Sequence, residues 1–323
     1  MKKRSGHMSD FVTFGEILID FTPSGEQDGQ KLFMQNAGGA VANVAVAVKS
    51  FGCSAAYLGM AGNDAFGHYL KTVLDNKGVD TAGLVLSQTY PTTLAFVHLF
   101  ENGERDFSFY RKNCADVMYS ADLIDGNIIR NARIFHFGSL SLTDEPARSA
   151  TWDMLKIAKE SGVTVSYDPN YRAPLWDSEA EAKALMLKGL EYADIVKISD
   201  NEVDLLFGKM PYEEAAWMLI ERGAQLAFVT MGSEGAVFAC AKGAGKAAAF
   251  AAKAVDATGA GDCFTGGVLS QFLQSGKALK DLSLEDVRRF AEFGCAAASV
   301  CVEGKGGIPS IPSLEQVEQR LNR

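Results

Sequence analysis

The feature that most narrows the fold is an alternation. Short apolar runs, "FVTFGEILIDF", "SAAYLGMAG", "RIFHFGSL", "VTVSYDPN", "DIVKIS" and "LAFVTMG", are separated by helix-like stretches that close on glycine, among them Ala40 to Phe51 before Gly52 and Pro146 to Ser161 before Gly162. Strand, helix, strand in succession means crossover connections, and crossovers lay helices on both faces of a parallel sheet. The expected fold is α/β: three layers, αβα, with a mostly parallel central sheet. The C-terminal ends of the runs carry polar residues, Asp20, Asp168 with Asn170, Asn201 with Glu202, and Thr230. That is the edge at which open α/β sheets bind ligands.

Two segments depart from the alternation. "TTLAFVHLFENGERDFSFYR" has β-rich arms on either side of Asn102-Gly103, a pair that tolerates positive φ and favours a hairpin. "FTPSGEQDGQKLFMQN", Phe21 to Asn36, is likewise two short extended arms around a glycine-containing turn. Insertions at about 21–36 and 92–112 therefore predict a small, separate β-sheet that acts as a lid. "AKGAGKAAAFAAKAV" is Ala-rich but short, and is expected to form a hairpin between strands.

A chain of 323 residues with 47% hydrophobic content can bury a sizeable core. Its formal net charge of -9 disfavours a general nucleic-acid or anionic-membrane surface, so a phosphate site has to be built locally. No apolar run reaches the roughly 18 residues that cross a bilayer. Cys53, Cys114, Cys240, Cys263, Cys295 and Cys301 form no CxxC pair and share no metal-ligand spacing with the four histidines. They are expected to be reduced, mostly buried thiols of a cytoplasmic protein. The opening "MKKRSGHM" is basic, has no signal-peptide apolar region behind it, and is set apart as a tail or an appended remnant.

The most informative loop is "VDATGAGDCF", Val255 to Phe264. Gly259, Ala260 and Gly261 leave the backbone free to curl, and an amphipathic run from about Ala260 to Gln274 follows. The first amides of such a helix lack intrahelical partners and point outward together at its positive end. They form a nest for an anion, above all for a phosphoryl group gathering charge. Asp262 stands inside that nest, where it competes with phosphate unless it takes the proton of a hydroxyl attacking that phosphate. A helix N-cap would account for Asp262 alone, but not for Asp256, Thr258 and both glycines as well. Upstream, Gly38-Gly39 lets backbone approach a ligand, Asn43 offers a polyol both donor and acceptor, and Asp20 adds an acceptor for two hydroxyls. Taken singly, each of these is also ordinary turn chemistry.

Asp256-Ala257-Thr258-Gly259-Ala260-Gly261-Asp262 resembles the C-terminal signature of the ribokinase-like (PfkB) sugar kinases, Asp-Thr-x-Gly-Ala-Gly-Asp, with Ala257 where threonine is more usual. Gly38-Gly39-Ala40-Val41-Ala42-Asn43 resembles the family's N-terminal Gly-Gly motif. The resemblance runs from Asp10 to Pro312, in an order of motifs that no single loop could mimic, and it implies one kinase domain over 9–323.

The resemblance also implies roles. Asp262 would be the catalytic base, with Gly259, Ala260 and Gly261 as the anion turn. Asp20, Gly38, Gly39 and Asn43 would bind the sugar, covered by Phe107, Phe109 and Arg111, whose guanidinium would meet its hydroxyls or carbonyl. Alternating aromatics also serve plain packing. Asn170 and Arg172 of "DPNYR" would face the same cleft, Arg172 towards the transferring phosphate. "TMGSEG" matches the Thr-x-Gly-x-x-Gly segment of the ATP site, bringing Thr230, Gly232 and Gly235 to the nucleotide beside Thr258, Gly259 and Gly261. Asn201 and Glu202 would hold the water shell of Mg²⁺, an ion expected in any case because it bridges phosphate oxygens and offsets their charge. Potassium-activated members would place K⁺ ligands at Asp256, Thr258, Cys301, Gly306 and Ser310, although "EGKGGIPSIP" is equally an ordinary C-terminal loop.

Within the family, "TFGEILIDFTP", "GGAVANVAVAVKSFG", "FSFYR" and "DPNYRAPLW" look most like bacterial fructokinases. That implies transfer of the γ-phosphoryl of ATP to the 6-hydroxyl of D-fructose. A 2-keto-3-deoxygluconate kinase shares the "FYR" arginine; a silent sugar-binding regulator would keep Asp20 and Asn43 but have no need of Asp262. The expected partners are ATP with Mg²⁺ and a small sugar, with no nucleic acid and no membrane. An apolar lid face would also pair two copies as a homodimer.

Overall fold

The computed structural model describes residues 9–99 and 105–322, so the expected Asn102-Gly103 turn and the first eight residues lie outside the described residues. In chain order the strands are β1 (Phe11–Phe14), β2 (Leu18–Gln27), β3 (Gln30–Gly38), β4 (Ala55–Gly62), β5 (Asp80–Ser87), β6 (Leu94–Leu99) and β7 (Arg105–Tyr110), then β8 (Ile134–Phe137), β9 (Thr164–Tyr167), β10 (Ile195–Ser199), β11 (Leu226–Thr230), β12 (Ala236–Cys240) and β13 (Gly243–Ala247). Nine of them form one sheet in the order β13-β12-β11-β10-β9-β8-β1-β4-β5. From β5 to β11 every pairing is parallel, and β12 and β13 close one edge antiparallel.

The period of two along each strand divides the core. Val12, Phe14, Phe135, Phe137, Val196 and Ile198 pack in one cluster with residues of helices Ala147–Glu160, Glu179–Leu190 and Tyr212–Glu221. Phe11, Ile134 and Ile195 point the other way, into a cluster with helices Ala40–Ser50, Ala260–Ser275 and Leu284–Cys301. Buried on both faces, the strands read as continuous apolar runs. The αβα sandwich expected from the alternation is the fold observed.

The remaining strands form a second sheet, β3-β2-β6-β7, from the two segments that broke the alternation. Its first hairpin turns at Asp28 and Gly29, with φ of 53° and 76°, the left-handed pair a tight hairpin needs. Phe21 stacks on Phe96 at 4.9 Å, and Phe33 and Tyr110 meet Phe96 edge-on, so aromatic pairs hold the sheet together.

One expectation is corrected, and another, the Ala-rich hairpin, holds in its first part, where β12 turns through Ala241 and Lys242 into β13. "FVTFGEILIDF" is not one strand: β1 stops at Phe14, and the chain leaves the main sheet through Gly15, Glu16 and Ile17 to start β2 in the other. The Tyr57 hydroxyl donates to the Gly15 carbonyl at 2.6 Å and fixes that exit. In "AKGAGKAAAFAAKAV" only Gly243–Ala247 is a strand, paired back on β12; residues 248–259 form neither helix nor strand.

Candidate active site

Parallel strands deliver their C-terminal ends to one edge, and a cavity of about 520 Å³ opens there. Leu18 and Asp20 of β2 and Phe107 and Phe109 of β7 form one wall. The ends of β10 and β11, the loop after β9 and the starts of helices Ala40–Ser50 and Ala260–Ser275 form the other.

Asp262 is the third residue of helix Ala260–Ser275, behind an N-cap Gly259 in left-handed backbone with φ of 82°. It is only 6% exposed, and no side chain caps this helix, so the N-cap alternative fails. Instead Asn43 Nδ2 donates to its Oδ2 at 2.7 Å and Asn170 Nδ2 to its Oδ1 at 3.1 Å. Burial, then the charge of Asp168, pushes its pKa up to about 6, against the Asn43 hydrogen bond and the cations Lys197 and Arg172. Such a carboxyl is ionised at neutral pH yet close enough to neutrality to accept a proton, as a general base must. Asn43 Oδ1 is buried without a partner, an acceptor left over at the cavity wall.

Asp20 stands across from these groups on β2, its pKa pushed up to about 7 by burial, with Arg172 opposing and Asp256 and Asp262 adding to the shift. Gly38 lies off the wall but packs under that carboxylate, where a Cβ would strike Asp20 Oδ2. Gly39 lines the cavity with φ of 116°, and a Cβ on it would run into the Glu16 carbonyl.

Asn170, Arg172, Asn201, Glu202, Thr230, Gly232, Thr258, Gly259 and Gly261 also line the cavity, with Ala260 in the same turn. Asn201 and Glu202 lie in the first turn of helix Asp200–Phe207 rather than on β10. Glu202 is buried: Oε1 accepts from the Tyr171 amide at 2.8 Å, and Oε2 from the Ser199 amide at 2.7 Å. Oε2 also accepts from the Ser199 hydroxyl at 3.0 Å, so Oε1 is the oxygen with a lone pair to spare for a metal-bound water. Gly235 is off the wall, closing the turn that presents Thr230 and Gly232 by donating its amide to the Gly232 carbonyl at 3.2 Å.

Behind the anion turn, Asp256, Thr258, Cys301, Gly306 and Ser310 do come together. Asp256 accepts from the amides of Thr258 at 2.8 Å and Gly306 at 3.0 Å, and the Ser310 hydroxyl donates to the Gly306 carbonyl at 2.5 Å. Cys301 Sγ sits 3.1 Å from Ser310 Oγ. The carboxylate, hydroxyl and carbonyl oxygens are donors of the kind a hard monovalent cation takes. Among the described residues no cluster of three or more His, Cys, Asp or Glu offers a transition-metal site.

Arg111 is a correction. It is 6% exposed and off the cavity wall. Its Nε donates to Asp116 Oδ2 at 2.7 Å, Nη1 to Thr143 Oγ1 at 2.7 Å and Nη2 to the Leu140 carbonyl at 2.9 Å. A buried guanidinium has to satisfy its donors locally, and these anchor the end of β7 to the main body. Arg111→Ala is expected to lower the unfolding free energy by about 3 kcal/mol, the scale for breaking a buried ion pair, with little change in KM for sugar. Urea denaturation beside steady-state kinetics checks this; a raised KM at unchanged stability would refute it.

Among the wall residues that sequence reasoning missed, Glu16 and Lys197 are buried charges. Glu16 Oε1 accepts from the Ala40 amide at 2.6 Å at the start of the helix that carries Asn43. Burial pushes its pKa up to about 7 against its own backbone hydrogen bond and the charge of Arg111. Lys197 pairs with Asp168 at 3.2 Å inside β10. The signal was a charged residue within an otherwise apolar run, in "GEIL" and again in "DIVKIS".

A buried carboxyl at a helix N-terminus, a glycine-containing turn before it and polar side chains opposite, on the ligand edge of an α/β sheet, are the groups a small-molecule phosphotransferase needs. The chain matches the pfkB family of carbohydrate kinases over residues 8–314, and it belongs to that family. It is 40% identical over 320 residues to a probable fructokinase-3 of Arabidopsis thaliana, covering 97% of this chain and 91% of that one. Among solved structures it is similar to a fructokinase of Xylella fastidiosa with bound ATP, at a TM-score of 0.90, 32% identity and coverage of 98% and 99%. It is also similar to a fructokinase of Vibrio cholerae O395 in a fructose, ADP and calcium ion bound form, at a TM-score of 0.88, 30% identity and coverage of 97% and 99%.

Proposed function

We infer that the chain transfers the γ-phosphoryl of ATP to the 6-hydroxyl of D-fructose, giving fructose 6-phosphate and ADP. The observation that carries this reading is the Asp262 carboxylate, buried in the cavity at a helix start and held by Asn43 and Asn170. Relatives named fructokinases, and a similar structure that holds fructose and ADP, support the choice of sugar. Asp20 and Asn43 grip hydroxyls, Gly259 to Gly261 wrap amides around the phosphoryl, and Asp262 takes the hydroxyl proton. Thr230, Gly232 and Thr258 line the nucleotide side. Asn201 and Glu202 would hold the water shell of Mg²⁺, which would supply charge neutralisation on the nucleotide phosphates. Asp256, Thr258, Cys301, Gly306 and Ser310 would hold K⁺ behind the anion turn.

The second sheet is the lid over the sugar. The sheet leaves Leu32, Phe33, Met34 and Tyr110 exposed, the last at 64%, and apolar side chains left in water there support a homodimer through the lid, which sedimentation equilibrium checks. The cytoplasm fits six free, buried cysteines, and among the described residues no helix is long and apolar enough to cross a membrane.

The test is a coupled ADP-release assay across fructose, ketodeoxygluconate, ribose, tagatose, glucose and adenosine. Fructose is expected to give the highest kcat/KM. Faster turnover of ketodeoxygluconate would move the substrate to a sugar acid, and no turnover of any sugar would remove the enzyme reading.

A further inference from the structure

The cavity wall is rich in carboxylates, Glu16, Asp20, Asp200, Glu202 and Asp262, and among the described residues it holds two cationic side chains, Arg172 and Lys197. A triphosphate brings more negative charge to this wall. Arg172 is half-exposed and lends Nη1 to the Tyr171 carbonyl at 2.9 Å. Lys197 is different in kind, because it is only 8% exposed and rigidly placed.

Its placement follows from the pleat. Lys197 shares the face of β10 that carries Ile195, the face covered by helix Ala260–Ser275. The ammonium consequently lies against the anion turn: a Cβ at Gly261 would come within 3.1 Å of Lys197 Nζ. On its other side Nζ is 3.3 Å from Asp168 Oδ1 and 3.2 Å from Oδ2, and Thr265 Oγ1 donates to that Oδ2 at 3.0 Å. An ammonium has three N–H donors. Asp168 is its hydrogen-bond partner among the described residues, and two carboxylate oxygens take at most two of the three. A donor is left over on a buried group that lines the cavity, and a buried donor without a partner is costly. Burial works to discharge the amine, but Asp168, Glu202 and Asp262 outweigh it and hold Lys197 protonated.

Resting on the kinase reading above, we propose that Lys197 is a catalytic residue of the transfer step, its remaining N–H bound to an oxygen of the transferring γ-phosphoryl, with Asp168 and Thr265 as positioning residues. As the bond from the sugar oxygen to phosphorus forms, the bond from phosphorus to the β,γ-bridging oxygen breaks. The hydroxyl proton goes to Asp262 and the electron pair of the broken bond stays on ADP. Lys197 keeps its protons throughout and offsets the charge of the phosphoryl oxygens.

The experiment compares Lys197→Met with the double variant Lys197→Met/Asp168→Asn, which leaves no unpaired buried carboxylate and guards against simple misfolding. Calorimetry with Mg²⁺ measures binding of the β,γ-imido analogue of ATP, of ADP and of fructose; rapid quench measures transfer. Both variants are expected to lose roughly 10²- to 10³-fold in transfer rate, the scale for one preorganised donor. Affinity for the imido analogue falls about tenfold or more, while ADP and fructose bind as in the wild type. Wild-type transfer in either folded variant, or equal losses for analogue and ADP, overturns the assignment. If the wild type phosphorylates no sugar while Lys197→Met still separates analogue from ADP, the substrate reading falls and the phosphoryl contact stands.

Discussion

Asp262→Asn lowers kcat by roughly 10²- to 10⁴-fold, the loss expected when a general base is removed and its shape is kept. Fructose and nucleotide bind much as before, because the other polar groups of the wall are untouched. The substitution is not silent locally. Asn43 and Asn170 each donate an amide to one carboxylate oxygen, and an asparagine presents one oxygen and one NH₂, so one donor loses its acceptor. A small loss of stability therefore accompanies the large loss of rate. The pH profile separates the two. With the wild-type carboxyl near 6, kcat falls as pH drops through that value and the base becomes protonated. The asparagine variant has no such limb. Single-turnover transfer beside calorimetric fructose binding makes the measurement, and a wild-type rate in Asp262→Asn would return Asp262 to a structural role.

Gly261→Val is expected to cost about 10³ in rate, with the protein still folded. The pressure here comes from a neighbour. A first side-chain carbon reaches 3.1 Å from Lys197 Nζ, and two more methyls have no room unless the ammonium or the turn moves. Either movement pulls apart the amides and the cation that, on the proposed reading, act on the same phosphoryl oxygens. Gly261→Ala is the graded control, and it should fall between wild type and valine. Circular dichroism and transfer rates on the three proteins test the order; full activity in the valine variant would mean that the turn does not touch the phosphoryl.

The architecture was legible because a parallel sheet buried on both faces writes itself as apolar runs separated by helices, and the anion turn because so few sequences curl that tightly before a helix. The second sheet was legible as two interruptions. What escaped was decided by neighbours distant in the chain. "FVTFGEILIDF" is continuous in hydropathy, and nothing in it says that Tyr57 will hold Gly15 and send the strand into another sheet. Arg111 follows an aromatic strand and could have faced either way. Asp116, five residues on, was the available hint, and Thr143 and Leu140 complete its enclosure. Lys197 and Glu16 were passed over as single charges in apolar runs, although a charge in a strand buried on both faces has to answer to something.

The two carboxylates central to this site belong to different bodies. Asp20 is carried by the small sheet and Asp262 by a helix packed on the main one. On the proposed reading the acceptor is gripped from one side and its proton is removed from the other, so neither body alone holds a complete reaction centre. That arrangement works as an interlock. A nucleotide seated without a sugar meets a base with nothing correctly placed to deprotonate, and a stray water, lacking the second hydroxyl that Asp20 can grasp, is a poor key.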